Sequence, residues 1–179
     1  MERILLYVHF NKCNHISGHV FYQLEQLKPL FSKIIFISNS PLTDEDKCRR
    51  REDLGMADLL ERDNRGFDFA AWRDGMNRLV FDTLQNSDSL TLMNDTCFGP
   101  LWDLAPIYQR FEEDPQVDFW GMTNFRKTRY FEEHLQSYFV TFKQSVLKDK
   151  TFREFWSQVE DFTDVQDVID HYETQFTKR

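Results

Sequence analysis

The segment RILLYVHF, Arg3–Phe10, is a continuous apolar run of strand length that ends at Asn11. Such a run is typical of a strand in a sheet that is covered on both faces. From Gly18 the apolar residues recur at steps of three and four, which predicts a helix that ends near Pro29. The next strand-like run, KIIFISNS, occupies residues 33–40. This order predicts a strand, a helix and a second, parallel strand.

The same alternation continues to the end of the chain. Further strands are expected in ADLLERDN (57–64), SLTLMNDT (89–96), VDFWGMT (117–123) and LQSYFVTF (135–142). Further helices are expected from the Thr43–Asp46 capping box, along the stripe Phe69, Trp72, Met76, Leu79 and Val80, from Pro100 through Phe111, at 151–159 and at 164–177. The pattern predicts one α/β domain over residues 1–179, with a central, mostly parallel sheet between layers of helices.

Composition narrows the class of protein. The chain has 179 residues, a formal net charge of −8 and a pI of about 5.1, which disfavours binding to nucleic acid. Its three cysteines are far apart and lack a C-x-x-C spacing, as expected for a reduced, cytoplasmic protein. The N-terminus lacks the features of a signal peptide, and no apolar run is long enough to predict a membrane span.

Polar residues follow the apolar runs where the predicted strands end. Asn11, Asn39, Asn64 and Asp95 are four examples. Each is also an ordinary turn residue. In open parallel sheets, however, ligands bind outside the carboxyl ends of the strands. We therefore expect these side chains to meet at a ligand site on one edge of the sheet.

The stretch DNRGFDF, residues 63–69, is richer in polar groups than a helix start requires. Gly66 allows either a positive φ or a close approach of a ligand, and the following helix offers free N–H groups to an anion. Arg65 could bind a phosphate, and Asp68 could either cap the helix or face the ligand. Neither a P-loop nor a G-x-G-x-x-G fingerprint is present in the sequence.

A second polar group ends the strand in LTLMNDT. Asn94, Asp95 and Thr96 offer one carboxylate beside amide and hydroxyl oxygens. Mg²⁺ and Mn²⁺ prefer such oxygens and complete their shells with phosphates and water. The alternative is a turn that satisfies its own side chains. The first interpretation predicts a divalent cation at Asp95 that neutralises a departing diphosphate.

With DNRGFDFAAW, LMNDTCFGPL, FWGMT and HLQSYFVTF in this order, the chain resembles the rhamnan synthesis protein F family. That family consists of glycosyltransferase-like proteins of rhamnose polysaccharide assembly, and it resembles the GT-A class of sugar-nucleotide-dependent transferases. The resemblance implies a GT-A-like, Rossmann-like three-layer sandwich. It also implies a nucleotide-sugar donor, dTDP-rhamnose, and a glycan or lipid-linked glycan acceptor.

The resemblance also assigns roles to residues. Asn11 and Asn39 are expected at the nucleoside. The diphosphate-sugar side is expected to involve Asn64, Gly66 and Asp68, and the sugar hydroxyls His134 and Gln136. Asn94 and Asp95 take the place of the Asp-x-Asp motif, with Asp95 as the metal ligand, although only one carboxylate is present where two are usual.

The general base of an inverting enzyme would be an acid in the late helix. Asp167 is the first choice, with Asp164 and Glu173 as rivals. A base must lie within about 3 Å of the acceptor hydroxyl, which the sequence alone does not reveal.

The expected function is transfer of rhamnose onto a growing cell-wall or capsular polysaccharide at the inner face of the membrane, with peripheral membrane association. The alternative is a catalytically degenerate nucleotide-sugar-binding module of a polysaccharide assembly complex. A third interpretation is a phosphohydrolase built around Asp95 and Asp68. The chain ends directly after the late helix, which suggests either a form shortened at its C-terminus or a compact standalone domain.

Overall fold

The apolar run at the start of the chain forms β1, Arg3–His9, the central strand of a six-stranded sheet. The computed structural model describes residues 1–56 and 58–177. In it, β1 pairs in parallel with β2, Lys33–Ser38, on one side and with β4, Ser89–Asn94, on the other. The register sets His9 opposite Ser38 and Val8 opposite Asn94, so the carboxyl ends of these strands share one edge.

The other elements follow the predicted alternation. The remaining strands are β3 Leu59–Glu61, β5 Phe119–Gly121, β6 Asn124–Phe125, β7 His134–Leu135 and β8 Phe139–Lys143. The helices are α1 Gly18–Leu27, α2 Asp44–Leu54, α3 Phe67–Leu79, α4 Phe81–Asn86, α5 Ala105–Glu113, α6 Gln144–Leu147, α7 Lys150–Ser157, α8 Val165–Val168 and α9 Thr174–Phe176. A 3₁₀ turn, Lys28–Leu30, follows α1, and a π-helical turn, Ile169–Glu173, joins α8 to α9.

The strand order is β3-β2-β1-β4-β8-β5, and β6 pairs with β7 in a separate hairpin. Strands β1 to β4 are parallel to one another, whereas β8 runs antiparallel to both β4 and β5. The predicted α/β fold with a mostly parallel central sheet is therefore confirmed. The hairpin and the reversed direction of β8 were not predicted, because a single apolar run does not reveal the direction of its neighbour.

Apolar side chains cover both faces of the sheet. Ile4, Leu6 and Val8 of β1 belong to the core beneath α3, whereas Leu5 and Tyr7 belong to the core beneath α1 and α5. All five are essentially inaccessible to solvent. The observed burial explains why the run in β1 is apolar at every position rather than at every second one.

Helix α3 packs its apolar stripe against both the sheet and the C-terminal helices. The ring of Phe69 lies within 6 Å, centroid to centroid, of the rings of Trp72, Trp156, Tyr172 and Phe176. Aromatic clusters of this size dominate the energetics of a core. The cluster fixes α3 against segments that follow it by about ninety residues in the printed sequence.

Three sequence-based boundaries need correction. Val80 is not part of the buried stripe, because it has a φ of 62° and is exposed where α3 gives way to α4. The helix expected from Pro100 begins only at Ala105, since the intervening residues form an irregular loop. The third strand is confirmed at Leu59–Glu61, while Ala57, the first residue of its expected range, lies outside the described residues.

Gly66 begins α3 in a conformation that few other residues adopt. Its φ is 67°, and its N–H donates to the carbonyl of Phe162 at 2.7 Å. A Cβ at this position would lie 2.4 Å from the Cβ of Ala70 and 3.0 Å from the carbonyl oxygen of Glu160. The glycine therefore permits close packing of the C-terminal segment on the start of α3.

No helix in the described part of the chain combines the length and the apolar character that crossing a membrane requires.

We predict that Gly66→Ala lowers the free energy of unfolding by about 3 kcal/mol, because the methyl group adds both backbone strain and overpacking. Gly18→Ala is the matched control, since a Cβ on Gly18 meets no atom within 4 Å. That control should leave stability unchanged or raise it by up to about 1 kcal/mol. Urea denaturation of the three proteins measures both effects, and equal stability of the two variants would contradict the packing argument.

Candidate functional site

The candidate site lies at the carboxyl edge of the sheet, where β1 and β4 are neighbours. From β1 the chain proceeds outward to β2 and β3, and then crosses to β4 on the opposite side of β1. Such a reversal of strand order leaves a crevice between the two strand ends, which is the usual ligand position in open α/β sheets.

His9 and Asp95 meet across this crevice. Asp95 Oδ2 lies 2.7 Å from His9 Nδ1 and accepts from the backbone N–H of Phe10 at 3.2 Å. The His9 side chain is buried, whereas the Asp95 carboxylate is partly accessible. One oxygen of Asp95 is thus occupied by β1, and its orientation is fixed by that contact.

Asn94 connects the end of β4 to the start of α3. Its Nδ2 donates to Asp68 Oδ2 at 2.7 Å, while its Oδ1 accepts from the Thr96 hydroxyl at 2.7 Å and from the Thr96 N–H at 3.2 Å. Asn94 is buried and Asp68 half-buried. The amide therefore holds the Asp68 carboxyl toward the strand end rather than leaving it as a helix cap.

A cavity of about 270 Å³ opens beside Asp68. Its lining comes from α3, the end of β4, the segment between β7 and β8, and the C-terminal helical turns: Phe67, Asp68, Phe69, Asn94, Thr96, Gln136, Ser137, Tyr138, Val165, Val168, Ile169 and Glu173. The volume is close to the lower bound for small-molecule sites, about 300 Å³. Apolar walls with a few convergent polar groups are also typical of such sites.

Glu173 forms the wall opposite the sheet. Its Oε1 accepts from the Ser137 hydroxyl at 2.9 Å and from the Ser137 N–H at 3.4 Å. The residue ends the π-helical turn and projects from it into the cavity. The cavity therefore contains two carboxyl groups, from Asp68 and Glu173, contributed by distant parts of the chain.

Burial raises the pKa of the Asp68 carboxyl to about 6. The hydrogen bond from Asn94 opposes this rise, and the negative charges of Asp95 and Glu173 add to it. A carboxyl that titrates near neutral pH is suited to accept or donate a proton during a reaction. Asp68 and Glu173 can therefore perform acid-base chemistry or bind the hydroxyl groups of a polar ligand.

The predicted residues of the first two strand ends mainly stabilise loops. Asn39 donates to the carbonyl of Phe67 at 3.3 Å and accepts from Arg62 at 2.9 Å, so it fixes the first turn of α3. Asn11 accepts from the N–H of Cys13 at 2.7 Å and donates to Ser17 at 3.1 Å. Both lie at the carboxyl edge, but neither lines the cavity.

The residues of the loop before α3 differ in how far they are buried. Gly66 packs against the C-terminal segment, Asn64 is half-buried, and the Arg65 side chain is exposed. The carbonyl of Arg65 accepts from Arg62 at 2.7 Å. Among the described residues of this loop and the following turn, the cavity is lined by Phe67, Asp68 and Phe69.

Two further predicted residues, His134 and Asp167, also lie away from the cavity, and Asp95 is not among the residues that line it. His134 is stacked on Phe125 at 5.0 Å in the β6–β7 hairpin and lines a different cavity, of about 510 Å³, with Trp120. Asp167 is exposed, and its carbonyl accepts from His171. Gln136, in contrast, lines the cavity and accepts from the Thr123 hydroxyl at 2.7 Å.

Helical spacing could have distinguished Glu173 from Asp167. Val165, Ile169 and Glu173 recur at intervals of four, and all three line the cavity. Residue 167 lies midway between two of them and so points to the opposite face. Asp164, the other rival, caps α8 by accepting from the N–H of Gln166 at 2.8 Å.

The described residues contain no group of three or more His, Cys, Asp or Glu side chains that could hold a metal ion. At the predicted position, Asp95 contributes one carboxylate oxygen beyond the one bonded to His9. A cation there would depend on phosphate and water for its other ligands, which is common for Mg²⁺.

Comparison with known proteins identifies relatives over most of the chain. The family model described as rhamnan synthesis protein F matches residues 34–179. The uncharacterized protein y4gN of Sinorhizobium fredii is 30% identical over 160 residues, which cover 89% of this chain and 41% of that protein. The chain thus spans about two fifths of the length of this relative.

Among solved structures, HddC from Yersinia pseudotuberculosis is similar, with a TM-score of 0.51 over 83% of this chain and 80% of that one. The sequence identity is 10%. At this identity the similarity concerns the fold alone, and it agrees with an α/β architecture around a mostly parallel sheet.

We predict that Asp68→Asn becomes more stable relative to the wild type as the pH rises. The pKa of the Asp68 carboxyl is about 6 in the folded chain, which is above its value in the unfolded chain. The stability that the wild type gains from protonation of Asp68 is therefore fully present below about pH 4 and is lost as the pH rises through about 6. The change in the stability difference between about pH 5 and about pH 7.5 should be about 1 kcal/mol, measured by urea denaturation.

Asp149→Asn provides a control of opposite sign. Hydrogen bonds from Thr151 lower the pKa of the Asp149 carboxyl, so its contribution is present above the unfolded pKa and is lost as the pH falls through the folded pKa. This variant should therefore lose stability relative to the wild type as the pH rises toward about 4, and its stability difference should stay constant between about pH 5 and about pH 7.5, where that of Asp68→Asn changes. A pH-independent difference for Asp68→Asn would contradict the assigned burial of Asp68.

Proposed function

The chain belongs to the rhamnan synthesis protein F family, and from this membership and the carboxyl-lined cavity we propose that it is a glycosyltransferase of polysaccharide synthesis. The donor is a nucleotide sugar, dTDP-rhamnose, and the acceptor is a growing glycan or a lipid-linked glycan. The reaction takes place in the cytoplasm, at the inner face of the membrane. Family membership supports a role in rhamnan synthesis, and the cavity supports the chemistry.

One observation carries the proposal of catalysis. Two carboxyl groups, those of Asp68 and Glu173, line one cavity outside the carboxyl end of β4. Transfer of a sugar to a hydroxyl requires a proton acceptor near the acceptor oxygen and polar groups near the sugar hydroxyls. The half-buried carboxyl of Asp68 and the carboxyl of Glu173, which Ser137 holds, supply both kinds of group.

We assign the GT-A-like arrangement as part of this proposal. The mostly parallel sheet, the reversal of strand order at β1 and the cavity at the strand ends support it. In this arrangement the nucleoside lies toward the ends of β1 and β2, near Asn11 and Asn39. The sugar lies in the cavity, beside Asp68 and Gln136.

The proposed reaction forms a bond between the acceptor oxygen and the anomeric carbon of the sugar. The bond from that carbon to the diphosphate oxygen breaks, and its electron pair leaves with dTDP. Glu173 accepts the hydroxyl proton, since it lines the cavity and Asp167 does not. Asp68 and Asn94 orient the sugar hydroxyls, which positions the reacting atoms.

The divalent cation remains a prediction. When bound, Mg²⁺ or Mn²⁺ would stabilise the charge on the departing diphosphate. Asp95 would hold it through the oxygen that is not bonded to His9. Titration of dTDP in the presence and absence of Mg²⁺ tests this requirement directly.

One observation favours a second function. Asp95, the single carboxylate at the metal position, is already paired with His9 and Phe10 within the protein. A catalytically degenerate module would keep such a structural pair and bind nucleotide sugar without transferring it. The two functions differ in product formation and agree in donor binding.

We predict that Glu173→Gln lowers the rate of rhamnose transfer at least about a hundredfold and leaves dTDP affinity nearly unchanged, because only the proton acceptor is lost. Asp167→Asn is the matched control and should retain the wild-type rate. The assay combines dTDP-rhamnose with a synthetic or lipid-linked rhamnoside, and calorimetry measures dTDP binding.

The outcomes separate the alternatives. If neither dTDP nor UDP binds at millimolar concentration, the donor assignment is wrong. Donor binding without product formation by the wild type favours the binding module. A loss of transfer in Asp167→Asn but not in Glu173→Gln would return the role of base to Asp167.

A further inference from the structure

Two exposed loops project from the carboxyl edge of the sheet beside the cavity. The apolar loop, residues 97–102, follows Thr96 at the end of β4. The basic tip, residues 126–131, connects β6 to β7, and Gln136 follows that hairpin. Thr96 and Gln136 both line the cavity, so each loop lies a few residues from it.

The apolar loop presents large side chains to solvent. Phe98 is 78% exposed, Leu101 75% and Trp102 78%. Its backbone is held on the α1 side by hydrogen bonds from Gln23 to the carbonyl of Cys97 and from Tyr22 to the carbonyl of Pro100, each 3.2 Å long. Clusters of exposed, large apolar side chains mark interaction surfaces.

The basic tip combines positive charge with aromatic rings. Arg126, Lys127 and Arg129 are exposed, and Tyr130 is 80% exposed. The Thr128 hydroxyl accepts from the backbone N–H groups of Tyr130 at 3.3 Å and Phe131 at 3.1 Å, and these bonds fix the turn. Lys127 also pairs with Glu132 at 2.8 Å. With the adjoining Glu132 and Glu133, residues 126–133 contain three basic and two acidic side chains, in a chain of net charge −8.

We propose that the apolar loop and the basic tip form a docking surface for an anionic lipid bilayer. Arginine and lysine side chains are attracted to anionic headgroups, whereas tryptophan, tyrosine and leucine insert at the boundary between headgroups and acyl chains. Basic side chains beside exposed tryptophan, tyrosine and leucine favour a bilayer over a protein partner, because charged residues are depleted at the core of a protein interface. The proposal deepens the proposed function, because it rests on a lipid-linked acceptor reaching the neighbouring cavity.

Cosedimentation of the full chain with vesicles tests the surface without any donor or acceptor. We expect binding to vesicles of phosphatidylcholine with phosphatidylglycerol and none to phosphatidylcholine alone. Replacing Arg126, Lys127 and Arg129 by Ala should weaken binding at least about tenfold, since each charge near the surface contributes about fivefold.

A matched variant removes the same charge from the opposite edge of the sheet. Lys148, Lys150 and Arg153 are exposed and follow the end of β8, which lies beside the amino end of β4. Their replacement by Ala should change vesicle binding by less than about twofold, because they lie far from the docking surface. Equal losses in the two triple variants would overturn the proposal.

Tryptophan fluorescence tests the apolar loop. Of the four tryptophans, Trp72, Trp120 and Trp156 are buried, so a blue shift on adding anionic vesicles reports insertion of Trp102. The double variant Leu101→Ser and Trp102→Ser should lose that shift and bind less at high salt, with an unchanged melting temperature. A wild-type protein that remains in the supernatant with anionic vesicles, or whose fluorescence does not shift, overturns the proposal.

Because these measurements contain no nucleotide sugar, their outcome is independent of catalysis. Vesicle binding without rhamnose transfer would leave the surface in place and reject the enzyme. Rhamnose transfer without vesicle binding would support the enzyme and reject the docking surface.

Discussion

The burial of β1 on both faces constrains the rest of the structure. Its side chains contact α3 on one side and α1 on the other, so each interior position must be apolar. Polar chemistry is thereby confined to the strand end, where His9 follows the last apolar residue. Since β4 is the parallel neighbour, its own end delivers Asn94 and Asp95 to the same place. The location of the candidate site is a direct result of this pairing.

Desolvation then gives the site its electrostatic character. Asp68 begins a helix whose next turn is buried in an aromatic cluster, and its carboxyl is directed by Asn94 toward the cavity. In a low-dielectric environment the neutral form of a carboxyl is favoured, and nearby negative charge strengthens this preference. Asp95 and Glu173, which is held by Ser137, supply that charge. Proton binding by Asp68 therefore depends first on its burial and then on these two neighbours.

The sequence predicted the layered fold because its main strands are apolar at every position, a pattern that few other structures require. The sequence did not predict the direction of β8 or the backbone conformation at Val80. The positive φ at Val80 ends α3 one residue before the apolar stripe does, and the reversed β8 has the same composition as a parallel strand would have.

Some of the predicted residues lie together for a similar reason. Asp68, Asn94 and Gln136 lie at the cavity because they stand at element ends, whose position follows from the fold. Whether His134 and Asp167 lie at the cavity depends on the direction in which each side chain points, within a hairpin and a short helix respectively. For the second of these, the spacing of Val165, Ile169 and Glu173 contained the information. His9 was hidden in an apolar run, although it is the ionisable group at the end of that run.

The hydrogen bond from Gly66 to Phe162 joins two segments that a ribosome releases at different times. The first carboxyl of the cavity is synthesised about a hundred residues before the second one. A nascent chain that has emerged only through α7 contains the sheet and Asp68 but not the wall that carries Glu173. The cavity is therefore completed only when residue 173 has been synthesised, and a shorter nascent chain carries one of its two carboxyl groups rather than both.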